Sequence, residues 1–154
     1  MVFLHDHLTT VYMGLGLSLE VIIYKGYTTD GASVPSGLFE DSRYHETICK
    51  VIRQNYPSRD LEATYNWLVG GAFDMPRLLA AIVHDALYDL HWAFRWLCDR
   101  VYRRILLAAG YDRVRADIEY SAIRVVGWHN WDAITKAQKK RAKALVSVRW
   151  VRSF

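Results

Sequence analysis

The chain predicts an α+β fold, a mostly helical single domain with an N-terminal β-hairpin. Three observations carry that reading. At 154 residues, 52% of them hydrophobic, the chain is long enough to bury one core without disulfide or metal staples. Residues 17–27, Leu-Ser-Leu-Glu-Val-Ile-Ile-Tyr-Lys-Gly-Tyr, are rich in β-branched and aromatic types and follow the Gly14-Leu15-Gly16 break, so they predict a strand paired with residues 8–13. From residue 74 to residue 131 the apolar positions recur at the helical period instead.

The hairpin hands the chain to the string Thr28-Thr29-Asp30-Gly31-Ala32-Ser33-Val34-Pro35. Gly31, Ser33 and Pro35 keep this loop out of regular structure, and Pro35 biases Val34 towards an extended backbone. Residues 44–56 and 60–69 show two weaker helical patterns separated by Tyr56-Pro57-Ser58, and Gly70-Gly71 ends the second. Asp74 as N-cap with Pro76 in the first turn opens a helix whose apolar face is Leu79, Ile82, Val83, Ala86, Leu87 and Leu90. Residues 92–109 repeat the period through Trp96, Leu97, Val101, Ile105 and Leu106, with Gly110 as the stop, although neither Gly nor Pro marks the break after Tyr88. Asp112 caps a further helix ending at Gly127, and Asn130 caps another through about Leu145. The final alternation, Val146-Ser147-Val148-Arg149-Trp150-Val151, is an edge strand or a docking arm, and its pattern fits strand addition to a partner. The chain thus divides into a hairpin and polar loop (1–35), an inserted region (36–73), a helical core (74–131) and a basic C-terminal extension (132–154).

Composition narrows the function classes. Cys49 and Cys98 are too few for a disulfide framework and stand in no metal-ligand spacing, so the expected site of synthesis is a reducing cytoplasm. The N-terminus has no basic stretch followed by an apolar one, and no uncharged run approaches the roughly 18 residues that a membrane span requires. The expectation is a protein neither secreted by a signal peptide nor spanning a membrane. Lys136, Lys139, Lys140, Arg141, Lys143, Arg149 and Arg152 are seven of the 20 bases, whereas the last acid is Asp132. Such a segment is either a solvated face or a surface for phosphates, anionic lipid or an acidic protein. No nucleic-acid motif of a known class accompanies it, so nucleic acid is not the expected partner.

The polar residues of His84-Asp85-Ala86-Leu87-Tyr88 lie within the apolar run that begins Leu78-Leu79-Ala80-Ala81-Ile82-Val83, where an unpaired polar group is costly. His84 and Tyr88, four residues apart, share one helix face, and Asp85 points about 100° away. A neutral His84 becomes a general base when a carboxylate holds its other ring nitrogen, and Asp99 on the next helix is the candidate if the two helices run antiparallel. Asp85 and Asp30 are candidate ligands for a divalent cation such as calcium, with Asp30, Gly31 and Ser33 supplying the loop that binds it. The plainer reading is that the His-Asp pair ties its helix to the Asp30 loop, since no Ser or Cys nucleophile motif and no phosphate-binding Gly loop accompanies it. Both readings require that loop to pack on the His84 helix.

Thr29-Asp30-Gly31-Ala32-Ser33-Val34-Pro35, His84-Asp85-Ala86-Leu87-Tyr88, Asp99-Arg100-Val101-Tyr102 and Ala122-Ile123-Arg124-Val125-Val126-Gly127 resemble, in order and character, a family of small phage and prophage proteins grouped as a domain of unknown function. The resemblance spans about residues 17–131 and implies a phage or prophage origin. The chain departs from the family pattern in the long stretch between Pro35 and the His84 helix, in Cys98 where Ala is usual, and in the basic segment beyond Trp131. More partially, the His-Asp…Tyr helix with a Gly-containing loop and a facing Asp is similar to secreted phospholipases that cleave the second glycerol ester, without their disulfides or calcium-loop spacing. Fainter still is a similarity to His…His-Asp…Asp phosphohydrolases, for which His45 is the upstream ligand available.

The expected function is a phage-encoded accessory protein, made in the host cytoplasm and docked in a virion or tail assembly. It would meet other phage structural proteins through residues 36–73 and 136–154 while keeping the His-Asp site. The rival expectation is a cation-assisted hydrolase of phospholipid or peptidoglycan, with His84 as base, Asp99 orienting it, Tyr88 beside it, and Asp85 and Asp30 on the cation. A third is a regulator that binds a host protein or nucleic acid through the basic segment.

Overall fold

The computed structural model describes residues 2–29, 45–69 and 75–152. Among these residues it is α+β, with seven helices and one three-stranded antiparallel sheet. Strand β1 (His7–Gly14) and strand β2 (Leu17–Ile23) form the expected hairpin. Its turn uses left-handed backbone at Gly14, Leu15 and Gly16, with φ of 100°, 54° and 70°. The third strand, β3 (Val146–Arg152), pairs with β2, so the sheet order is β1-β2-β3. Period-two alternation sends Val11, Leu19, Val21, Ile23 and Val146 into the core, while Leu8 and Tyr12 face outward. The C-terminal alternation is therefore an edge strand, and with Ala142 and Val146 buried this segment belongs to the core rather than to a detachable arm.

Helix α1 (His45–Asn55) and helix α2 (Leu61–Val69) fall on the two weaker helical patterns. Ile48, Val51 and Ile52 of α1 make a small satellite core with Ile118 and Ala122. Helix α3 (Met75–Leu90) is the central element and buries ten of its residues, His84, Asp85 and Tyr88 among them. Its expected cap, Asp74, lies outside the described residues. Helix α4 (Arg95–Ala108) folds back along α3, and helix α5 (Arg113–Val126) packs on α4 and α1. Asp112 caps α5 as expected, accepting a hydrogen bond from the Arg115 amide.

Two boundaries differ from the sequence reading. The second core helix starts at Arg95, not residue 92, because His91 and Ala93 adopt left-handed backbone, with φ of 47° and 50°. Each costs roughly 1 kcal/mol in a non-glycine residue. The turn is held by His91, whose ring stacks on Trp131 at 4.1 Å and whose Nε2 lies 2.8 Å from the Trp131 carbonyl. The Cys98 thiol, 3.0 Å from the Trp92 carbonyl, holds its other side. Asn130 caps no long helix. It sits inside the short helix α6 (Trp128–Asp132), and helix α7 (Lys136–Leu145) starts instead from Thr135. Thr135 and Gln138 form a reciprocal capping box, which satisfies two backbone donors where Asn130 would satisfy one.

Candidate functional site

Asp99 on α4 is fully buried and accepts four hydrogen bonds. His84 Nε2 lies 2.8 Å from Oδ1, and the Tyr88 hydroxyl donates to the same oxygen at 2.5 Å. Arg124 Nη1 on α5 donates to Oδ2 at 2.7 Å, and Arg95 Nη1 reaches it at 3.4 Å. The expected facing of His84 and Asp99 across antiparallel helices is therefore present, and Tyr88 joins it from the turn after His84. Burial opposes ionisation of Asp99, but the bonds from His84, Tyr88 and Arg124 outweigh it and hold the carboxyl below its usual value. Desolvation, then Asp99 itself, push the Tyr88 hydroxyl upward, so it remains a neutral donor.

With Asp99 ionised, the proton of the His84 bond sits on Nε2. Among the described residues Nδ1 has no hydrogen-bond partner, and the ring is enclosed between Tyr88 at 4.0 Å and Tyr102 at 5.8 Å. A general base must reach the proton it removes, and this ring is 0% exposed. The network reaches solvent instead through guanidinium groups. The side chains of Arg95 and Arg124 are 19% and 32% exposed, while that of Asp99 is 0% exposed.

Asp85 faces away from this network, as its helical position requires. Its Oδ2 accepts a 2.6 Å bond from the Thr29 hydroxyl, and one turn later Asp89 accepts from Tyr27 at 2.8 Å. The end of the hairpin is thus seated on the His84 helix. Asp30, Gly31 and Ser33, the expected loop half of a cation site, lie outside the described residues. Among the described residues no group of three or more His, Cys, Asp or Glu side chains is gathered around a common point. Of the expected cation ligands only Asp85 is placed, held by the hairpin.

A second buried centre crosses the same three helices. Arg77 of α3 forms an ion pair with Glu119 of α5, and Tyr102 of α4 donates to Glu119 at 3.3 Å. Arg77 and Glu119 are 1% and 0% exposed.

Sequence reasoning missed Arg95, Arg124 and Gly127. Arg95 stands one helical turn before Asp99, an i,i+4 spacing that was available as a signal. Its guanidinium also binds the Ile123 and Arg124 carbonyls at 3.4 and 3.1 Å, closing the end of α5. Arg124 interrupts an apolar run, the same signal that singled out His84. Gly127 is more than a helix stop. A Cβ there would lie 2.8 Å from the Tyr88 hydroxyl and 2.6 Å from the Ile123 carbonyl, so any larger residue forces a shift where Tyr88 meets Asp99. His45 lies on α1, beside Cys49 and Tyr65, in a separate cluster.

Cys98 is buried and its thiol is pushed upward by desolvation and by Asp99, which removes it as a nucleophile. Among the described residues, no helix is long and apolar enough to cross a membrane. Compared with protein-family models, with curated proteins and with solved structures, the chain gives no match.

Proposed function

We propose that this chain is a phage- or prophage-encoded accessory protein that docks in a virion or tail assembly, with the His84–Asp99 site serving as the polar core that holds its docking surfaces in place. The observation that carries this reading is the enclosure of Asp99. Both of its oxygens are occupied by donors from three helices, and its histidine is fully buried. A site of that kind fixes a fold, and the work then falls to the surface. Lys136, Lys140, Arg141, Lys143, Arg149 and Arg152 are exposed on α7 and β3, and of these Arg149 is paired with Glu20. The order of motifs shared with small phage proteins supports the origin.

Deleting residues 136–154 would remove β3 and unfold the sheet, so charge reversal is the cleaner test. Purified particles should contain the protein by mass spectrometry. Lys136→Glu with Lys140→Glu and Lys143→Glu should strip it from them while the fold is retained, since each exposed substitution costs within about 0.5 kcal/mol. Absence of the wild-type chain from particles overturns the reading.

The second reading is the cation-assisted hydrolase of phospholipid or peptidoglycan. It is favoured by one observation, the oriented His84 ring with Nε2 on an ionised Asp99. Its test is cleavage of phospholipid vesicles or purified peptidoglycan with added calcium. Cleavage that disappears in His84→Gln at retained stability supports it, and no cleavage removes it.

A further inference from the structure

We infer that the open edge of β3 receives an extended acidic segment of a partner protein as a fourth strand of the sheet. This rests on the docking reading above and names the partner's chemistry. Among the described residues β3 is an edge, since only β2 pairs with it. The phase of its hydrogen bonds follows from one contact. The Tyr24 amide donates to the Leu145 carbonyl at 2.8 Å, next to the Ile23–Val146 pair. In an antiparallel ladder bonded and non-bonded pairs alternate. Ser147, Arg149 and Val151 therefore spend their backbone groups on β2, and Val148, Trp150 and Arg152 turn theirs outward. These are the groups an added strand would bind.

Natural edges are usually guarded by bulges, prolines or inward charges. The other edge, β1, has a register break between Tyr12 and Gly14. Strand β3 runs in unbroken register from Val146 to Arg152, has no proline, and brings a charge to its inner side only at its last residue.

The side chains state what the added strand would carry. On the inner side Trp150 is 47% exposed and lies 6.0 Å from Trp92, which with Val148 offers an apolar floor. On the outer side Arg149 bonds Glu20 at 2.5 Å, yet its side chain remains 64% exposed. The position beside Arg149 would be a non-bonded pair of the new ladder, the closer kind, and a carboxylate there would extend the row to acid, base, acid. The fitting segment alternates apolar and acidic residues. A second copy of this chain fits poorly, because the fully overlapped antiparallel pairing of β3 with β3 sets Arg149 opposite Arg149.

The test uses the full chain and a fluorescent peptide of roughly ten residues alternating valine and glutamate, with valine-lysine as its control. Anisotropy should show saturable binding tighter than about 1 mM for the acidic peptide, and about tenfold weaker binding or none for the basic one. Amide exchange at Val148, Trp150 and Arg152 should slow on binding, while Leu19 and Val21 in the central strand stay unchanged. Val148→Pro removes one outward donor without touching the β2 ladder and should abolish binding. Trp150→Glu, which keeps the backbone, should weaken it about tenfold should the proline variant fail to fold. No binding overturns the inference. So does binding that leaves those amides unprotected and survives both variants, which is plain attraction of a polyanion. Protection of the same amides in a dimer of the chain assigns the edge to a second copy. Binding only to phosphatidylserine vesicles or duplex DNA overturns it as well. Particle association that persists when the peptide fails leaves the docking reading standing and removes only this one.

Discussion

Two acids lie equally deep between α3, α4 and α5, and they behave in opposite ways. Burial pushes the Glu119 carboxyl above its ordinary 4.5, because desolvation outweighs Arg77 and Tyr102. At Asp99 desolvation loses to the bonds from His84, Tyr88 and Arg124, and the carboxyl falls below its ordinary 3.8. Depth alone therefore does not set the direction in which a carboxyl's pKa moves; the charges and donors around it decide. The partners differ too. Arg77 is sealed in with Glu119, whereas Arg95 and Arg124 run from Asp99 towards solvent.

That contrast orders the expected effects. Glu119→Ala should be the most damaging, about 4 kcal/mol by urea unfolding, because Arg77 stays charged and has no route to water. A loss below about 1 kcal/mol would mean that Arg77 escapes. Asp99→Ala should cost less, about 3 kcal/mol, since both arginines are part-exposed and can swing outward to water. Gly127→Ala should cost about 2 kcal/mol by driving a methyl into the Tyr88 hydroxyl, and Tyr88→Phe in the same chain should recover part of it. The pH dependence of stability should separate the two acids by sign. Asp99, depressed in the fold, stabilises above 3.8 and loses that contribution as pH falls through its folded value. Glu119, raised in the fold, contributes below 4.5 and loses its contribution as pH rises through its folded value. Asp99→Asn should thus flatten the acid loss seen in the wild type, and Glu119→Gln should steepen it. Identical acid limbs in the two variants would break the comparison. Thr29→Val should be the mildest, about 1 kcal/mol, as one bond to Asp85 is lost where the hairpin meets α3.

Much of this was legible in the chain. The hairpin, the α3 face and the Asp112 cap follow from local patterns, and the meeting of His84 with Asp99 follows from two antiparallel helices of known period. The α3–α4 turn was not legible, because His91 and Ala93 hold a conformation that sequence signals reserve for glycine, stabilised by a contact with Trp131 forty residues away. Gly127 is legible as a helix stop, but its contact with Tyr88 and the reach of Arg124 to Asp99 are not, since both depend on where α5 lies against α3 and α4. Thr135 is legible as a cap, because its partner Gln138 completes a capping box in plain sequence. The Arg77–Glu119 pair was not legible, because Arg77 precedes the apolar run that begins at Leu78 and Glu119 stands among Asp117, Tyr120 and Ser121, so only the packing of α3 on α5 reveals that both are buried.

The central claim is that Asp99 is a closed hub whose histidine serves the fold. Nitrogen-15 spectroscopy of the His84 ring tests it most directly, with His7, a partly exposed ring, as the internal reference. The expected result is a proton on Nε2, bonded to Asp99, that exchanges with water far more slowly than that of His7. A proton on Nδ1, or exchange as fast as at His7, would contradict the account and return the site to chemistry.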